Sequence, residues 1–172
     1  MTVTRINAFR VAVVEAIRAV MPDLRDCEEQ FGRFVLEELE RNIIKCPAVR
    51  FAVLRATLIN EPSAEPTAEL DCAAFVVTEG RTRDQSGWAI AEGIAVLLHS
   101  SQLFGLTRLS APRDARILPV VSGKLKARAV SVIAVEWKQE LRNLGDGIWD
   151  DETHLLSELY VNDELVDLTG EP

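Results

Sequence analysis

The stretch Leu70–Val77 constrains the fold of this chain more than any other, because it is apolar on both faces that a β-strand would present. Successive strand side chains point to opposite sides. Leu70, Cys72, Ala74 and Val76 would share one side, and Asp71, Ala73, Phe75 and Val77 the other. Toward the C-terminal end neither side suits water, so a strand over Glu69–Thr78 must be central and covered on both sides. Val49–Ile59, β-branched and alternating, reads as a second strand. Asn60–Thr67 between them holds two prolines and a serine and reads as a loop, so the two strands pair antiparallel.

The flanking elements follow from period and punctuation. Ile6, Phe9, Val13, Ile17 and Val20 recur at spacings of three and four, predicting a helix over Arg5–Val20 with Thr4 as its cap and Pro22 as its stop. Asp23–Gly32 is irregular or a short edge strand. A second helix is expected over Phe34–Lys45, with Leu36, Leu39 and Ile43 inward and Glu37, Glu38, Glu40 and Arg41 in water, ended by Cys46-Pro47. A polar loop, Arg81–Ser86, leads into a third helix over Gly87–His99. Trp88, Ala91, Ala95 and Leu98 line one stripe of it, and Ile90, Ile94 and Leu97 a second. A helix this apolar needs cover on two sides, a sheet on one and another helix or another subunit on the other. Arg113–Val121 and Ala127–Gln139 are two more strands, with Ser122-Gly123-Lys124 as the turn. The expected fold is α+β: an antiparallel sheet of four or more strands with about three helices, a sandwich filling residues 1–144.

Charge separates the last part of the chain from the rest. Gly145–Pro172 carries nine acidic residues and no lysine or arginine, so removing it takes the formal charge from −8 to +1. This second unit, residues 145–172, is an acidic extension anchored by Trp149, Leu155, Leu156 and Leu159. Within it, Leu159–Val166 resembles a hairpin around Asn162-Asp163. A lone hairpin is marginal in water, so it must dock on its own domain or on a neighbour. The opposite charge is gathered in Arg108, Arg113, Arg116, Lys124, Lys126 and Arg128. No apolar run approaches the ~18 residues of a membrane span, and the N-terminus lacks a signal-peptide pattern. The expectation is a protein without a membrane partner that stays in the compartment where it is made.

Catalytic and metal-binding patterns are poorly represented. The two histidines, His99 and His154, lie 55 positions apart and lack ligand spacing. Cys27, Cys46 and Cys72 form no Cys-x-x-Cys pair, and Cys46 and Cys72 read as buried free thiols. There is no Gly-x-Ser-x-Gly elbow and no glycine-rich phosphate loop, and Ser100-Ser101 beside His99 is a helix-end polar cluster. Asp150-Asp151-Glu152 lacks the spacing of a calcium loop and reads as a solvated acidic run. The expectation is a non-enzyme with no cofactor and no metal. Nor is sequence-specific nucleic-acid binding expected, since the basic stretch lacks interleaved aromatics and the whole chain is acidic. The two charge blocks suit a subunit joint instead: in a head-to-tail ring the acidic extension of one copy would meet the basic stretch of the next, with pairing inside one chain as the alternative. Candidate interface residues are Trp88, Ile90, Ile94 and Leu97 on the third helix, Arg113, Arg116, Lys124, Lys126 and Arg128 in the basic stretch, and Trp149, Leu155, Leu159 and Tyr160 in the extension.

Several segments together resemble the tail terminator proteins of Mu-like phages. They are the amphipathic helix Ile6–Val20; Gly32-Arg33-Phe34 leading into Leu36-Glu37-Glu38-Leu39; the block Cys46-Pro47-Ala48-Val49-Arg50-Phe51-Ala52-Val53-Leu54; and Phe75-Val76-Val77-Thr78 followed, after a charged loop with Arg83, by the helix Gly87–Leu98. The resemblance covers about Ile6–Leu141 and rests on order and spacing. It implies a terminator-like α/β fold and a homo-oligomeric ring, typically hexameric, that caps the finished tail tube. Its partners would be the tail tube protein and the neck or head connector proteins, and its place the virion, after synthesis in the host cytoplasm. The extension after Gly145 departs from the compact family pattern.

Overall fold

The doubly apolar strand lies at the centre of its sheet. The computed structural model describes residues 4–34, 44–60, 65–99, 103–120, 129–145, 159–161 and 164–166. Its strands β1 (Asp26–Glu29), β2 (Ala48–Ile59), β3 (Thr67–Glu79), β4 (Arg113–Val120) and β5 (Val130–Leu141) form one sheet in the order β1-β2-β3-β5-β4. The β2–β3, β3–β5 and β4–β5 pairs are antiparallel, as expected. β1, however, runs parallel to β2, with Asp26 opposite Ala48 and Glu29 opposite Phe51. The sheet is therefore mixed, not antiparallel. The physical reason is the connection: residues 30–47 are long enough for the crossover that a parallel pair requires, so β2 starts at the same end as β1.

Two helices stand among the described residues where about three were expected. Residues 35–43, most of the expected helix Phe34–Lys45, lie outside them. Helix α1 (Arg5–Val20) is capped by Thr4, whose hydroxyl accepts from the Asn7 amide, and buries Phe9, Val13, Val14 and Ile17. It also holds β1 in place. Arg18 donates to the Cys27 carbonyl, and Arg10 pairs with Glu29 at 3.1 Å. Helix α2 (Arg83–His99) starts one turn before Gly87, with Asp84 in its first turn, where a negative charge favours the helix dipole. Gly87 faces the sheet, and a Cβ there would lie 3.1 Å from Ile133 Cδ1 and 3.2 Å from Thr78 Oγ1, so the missing side chain sets how close the helix sits.

Both helices cover one face of the sheet. Phe9 meets Phe51 edge-on at 5.9 Å, and Phe51 stacks on Trp137 at 5.4 Å. Beside them Gln139 is wholly buried yet bonded: its Oε1 accepts from Trp137 Nε1 at 3.0 Å and its Nε2 donates to the Ser110 carbonyl at 2.9 Å. The other face is divided. One half is a second core of Ala48, Ala52, Ala73, Phe75, Val77, Val132 and Ala134, covered by Phe34, Ile44 and Cys46. That cover makes both sides of β3 apolar. All three cysteines are buried free thiols. Burial pushes the Cys27 and Cys46 thiols up to about 11, and Cys72 higher still. In the extension, β6 (Leu159–Val161) pairs antiparallel with β7 (Glu164–Val166), the hairpin expected around Asn162-Asp163.

Candidate functional site

The second half of that divided face is charged, and it gathers most of the polar chemistry of the described residues. Register builds it. Arg55 of β2 stands opposite Asp71 of β3, Asp71 opposite Lys138 of β5, and Lys138 opposite Arg113 of β4, so one row of ionic side chains crosses four strands. Arg55 pairs with Asp71 at 2.6 Å, and Lys138 lies 3.7 Å from Asp71. Lys138 and Arg113 are like charges set side by side, and Glu69 bridges them, 2.9 Å from Lys138 Nζ and in contact with Arg113. In the next row Glu136 pairs with Arg116 at 2.8 Å and approaches Arg33 at 3.9 Å. Further along, Glu65 pairs with Arg108 and Glu140 with Arg142. Arg33, Arg55, Asp71, Asp114, Arg116, Glu136 and Lys138 contribute to the walls of a cleft of about 610 Å³.

Two bulges bring the arginines to this face. Arg113 and Arg116 are an odd number of positions apart, and in a regular strand they would point to opposite sides. They stand opposite Lys138 and Glu136, which are two apart, so β4 carries one extra residue; Asp114 within it has a φ of 55°. β2 repeats the device. Arg50 and Arg55 are five apart but face Phe75 and Asp71, with the register shift between Val53 and Arg55. Bulges re-aim side chains in this way. The carboxyl of Glu69 is held below the usual carboxylate range by the hydrogen bond from Lys138, and Lys138 is correspondingly pushed up by Glu69.

The sequence-predicted interface residues scatter. Ile94 is wholly inside the chain's own core, and Ile90 and Leu97 pack against that core. Trp88 is partly exposed, on the flank of α2 next to the sheet-facing Gly87. Arg113 and Arg116 are satisfied by sheet carboxylates of their own chain. Lys124, Lys126, Arg128, Trp149 and Leu155 lie outside the described residues, and Leu159 and Tyr160 lie on β6. Among the described residues no three His, Cys, Asp or Glu side chains gather into a metal-binding group, and no helix is long and apolar enough to cross a membrane. Large apolar groups in water were missed by sequence reasoning: Phe31 is 96% exposed, Leu58 73% and Val96 64%, beside Trp88 at 46%. Phe31, just before the positive-φ Gly32, is the one that a tight-turn reading would have flagged.

Fold and site together define a class: an α+β sandwich that, among the described residues, has two helices on one face of a mixed five-stranded sheet and a salt-bridged ladder on part of the other. Compared with models of known protein families the chain matches none, and no curated protein matches it either.

Proposed function

We propose that this chain is a structural subunit of a phage tail, a terminator that forms a ring on the completed tube and joins it to the neck. The observation that carries the reading is the set of large apolar side chains in water, Phe31, Leu58, Trp88 and Val96, beside a sheet face whose described charges pair with one another. Aromatic groups are enriched at protein–protein interfaces and anchor them when desolvated. Ion pairs already closed within the chain make a polar surface that excludes mismatched neighbours more than it binds small molecules. The resemblance of Ile6–Leu141 to tail terminators supplies the kind of assembly.

Light scattering on the isolated protein is expected to give the mass of a closed ring. Electron microscopy of particles assembled without the protein is expected to show overlong tails. Tails of normal length beside unjoined heads would instead make it a neck or head-completion connector, and a strict monomer that leaves particles unaffected would end the reading.

A further inference from the structure

The two edges of the sheet differ in kind. β4 is blunted: Pro119 offers no N–H, the bulge at Asp114 twists the strand, and Arg113, Asp114 and Arg116 charge it. These are the usual protections of an edge strand. β2 keeps only one of them, the bulge between Val53 and Arg55. β1 covers it only from Ala48 to Phe51, so Ala52–Ile59 has no strand on its outer side among the described residues. That length has no proline and no lysine, a single charge at Arg55, and the exposed Leu58. A bare edge of this composition is a template for another strand.

The same chain carries a fragment that needs such a template. β6 and β7 form a two-stranded sheet of their own, separate from the larger one. A hairpin of that size is marginal alone and gains stability from a third strand or from packing on a helix. Charge and position both suit the β2 edge. The hairpin region holds Glu158, Asp163, Glu164 and Asp167 and no lysine or arginine, while the one charge of the edge is Arg55, 67% exposed although it also pairs with Asp71. The chain leaves the domain at the matching end of the sheet: Leu58 pairs with Ala68, Ala68 with Leu141, and the Leu144 amide donates to the Pro66 carbonyl at 2.8 Å. The thirteen residues 146–158 reach at most ~45 Å when extended, enough to cross to an adjacent copy.

We propose that the β6–β7 hairpin of one copy adds to the Ala52–Ile59 edge of a second copy of this chain. The inference rests on the reading of the chain as a ring-forming subunit and supplies its joint. Each copy gives one hairpin and receives one, a head-to-tail contact of the type that closes into rings. Among the described residues β6 and β7 pair only with each other and Ala52–Ile59 has no outer strand, which is the state such an exchange starts from.

The test mixes two full-length variants, Leu58→Cys and Val161→Cys, and joins thiols with a short flexible bis-maleimide so that no register is assumed. The native cysteines are buried and give little background. Covalent pairs that combine one chain of each variant are expected, together with at least a tenfold weakening of assembly in the full-length Ala56→Lys/Leu58→Lys variant, whose circular dichroism stays unchanged. In a Leu58→Cys/Val161→Cys double variant, cross-linking confined to single chains would overturn the exchange. No cross-link in a protein that still forms rings would overturn it and leave the terminator reading intact; a monomer without cross-links would remove both.

Discussion

Arg50 is the side chain whose removal tests the parallel edge of the sheet. It reaches from β2 to both Asp26 and Glu28 on β1, and its side chain is only 11% exposed. Asp26 is 14% exposed, so Arg50→Met leaves a nearly buried carboxylate without its partner. Breaking such a pair from one side costs about 3–5 kcal/mol. Glu28 is 59% exposed and adds little. The expected loss is therefore about 3 kcal/mol, the lower end, read from urea unfolding. Replacing both partners, Arg50→Met with Asp26→Leu, removes the orphaned charge and is expected to recover about 2 kcal/mol of it. Hydrogen exchange localises the effect. The Arg25 and Gln30 amides, bonded to the Pro47 and Phe51 carbonyls at the two ends of the parallel ladder, should exchange about 100-fold faster in Arg50→Met. A loss below about 1 kcal/mol, or a double variant no better than the sum of the two singles, would refute the clamp.

Gln139→Leu leaves the buried Trp137 N–H without its acceptor and the partly buried Ser110 carbonyl without its donor, and is expected to cost about 1–3 kcal/mol in the same unfolding assay. The charged ladder makes stability pH-dependent at both ends. Because the folded pKa of Glu69 lies below its ordinary 4.5, its contribution is present above that pH and lost as pH falls through the depressed value. Lys138 is raised above 10.5, so its share is present below that pH and lost as pH rises through the raised value. Urea midpoints measured against pH should show both limbs, and Glu69→Gln should flatten them. Gly93→Ala is expected to stabilise by up to about 1 kcal/mol through helix propensity, read as a raised Tm, because the clashing atom is the mobile Met21 Cε. The three thiols should stay unlabelled by iodoacetamide in the folded chain and react together on unfolding; rapid labelling of any one in the native protein would contradict their burial.

What could be read from the sequence was what depends on short-range pattern. The four antiparallel-sheet strands, α1, the central place of β3 and the pairing of Leu159–Val161 with Glu164–Val166 all rest on period or on turn residues. β1 was only half visible, as an irregular stretch or an edge strand. Its Asp26-Cys27-Glu28-Glu29 is short and acidic, and it becomes a strand through α1, Cys27 and the distant Arg50. The ladder was not legible for a different reason. Arg113 and Arg116, like Arg50 and Arg55, are spaced oddly and read as residues on opposite faces; only the bulges put them together. The second apolar stripe of α2 packs on the chain's own core. Gly87 lets the helix approach so closely that Ile90, Ile94 and Leu97 find cover within the chain, leaving Trp88 and Val96 exposed.

The long β3–β5 ladder has a consequence for how the molecule forms. Twelve residue pairs join Ala68–Glu79 to Val130–Leu141, segments separated by α2 and β4. β2 and β3, by contrast, meet across a short loop. Closing a long loop must be paid in chain entropy before any of its contacts return free energy. The β2–β3 hairpin is thus the natural early structure, and docking of β5 sets the pace of folding. Until β5 arrives, the apolar flank of β3 is itself an unguarded edge, so a chain emerging from the ribosome is most prone to aggregate during synthesis of residues 80–129.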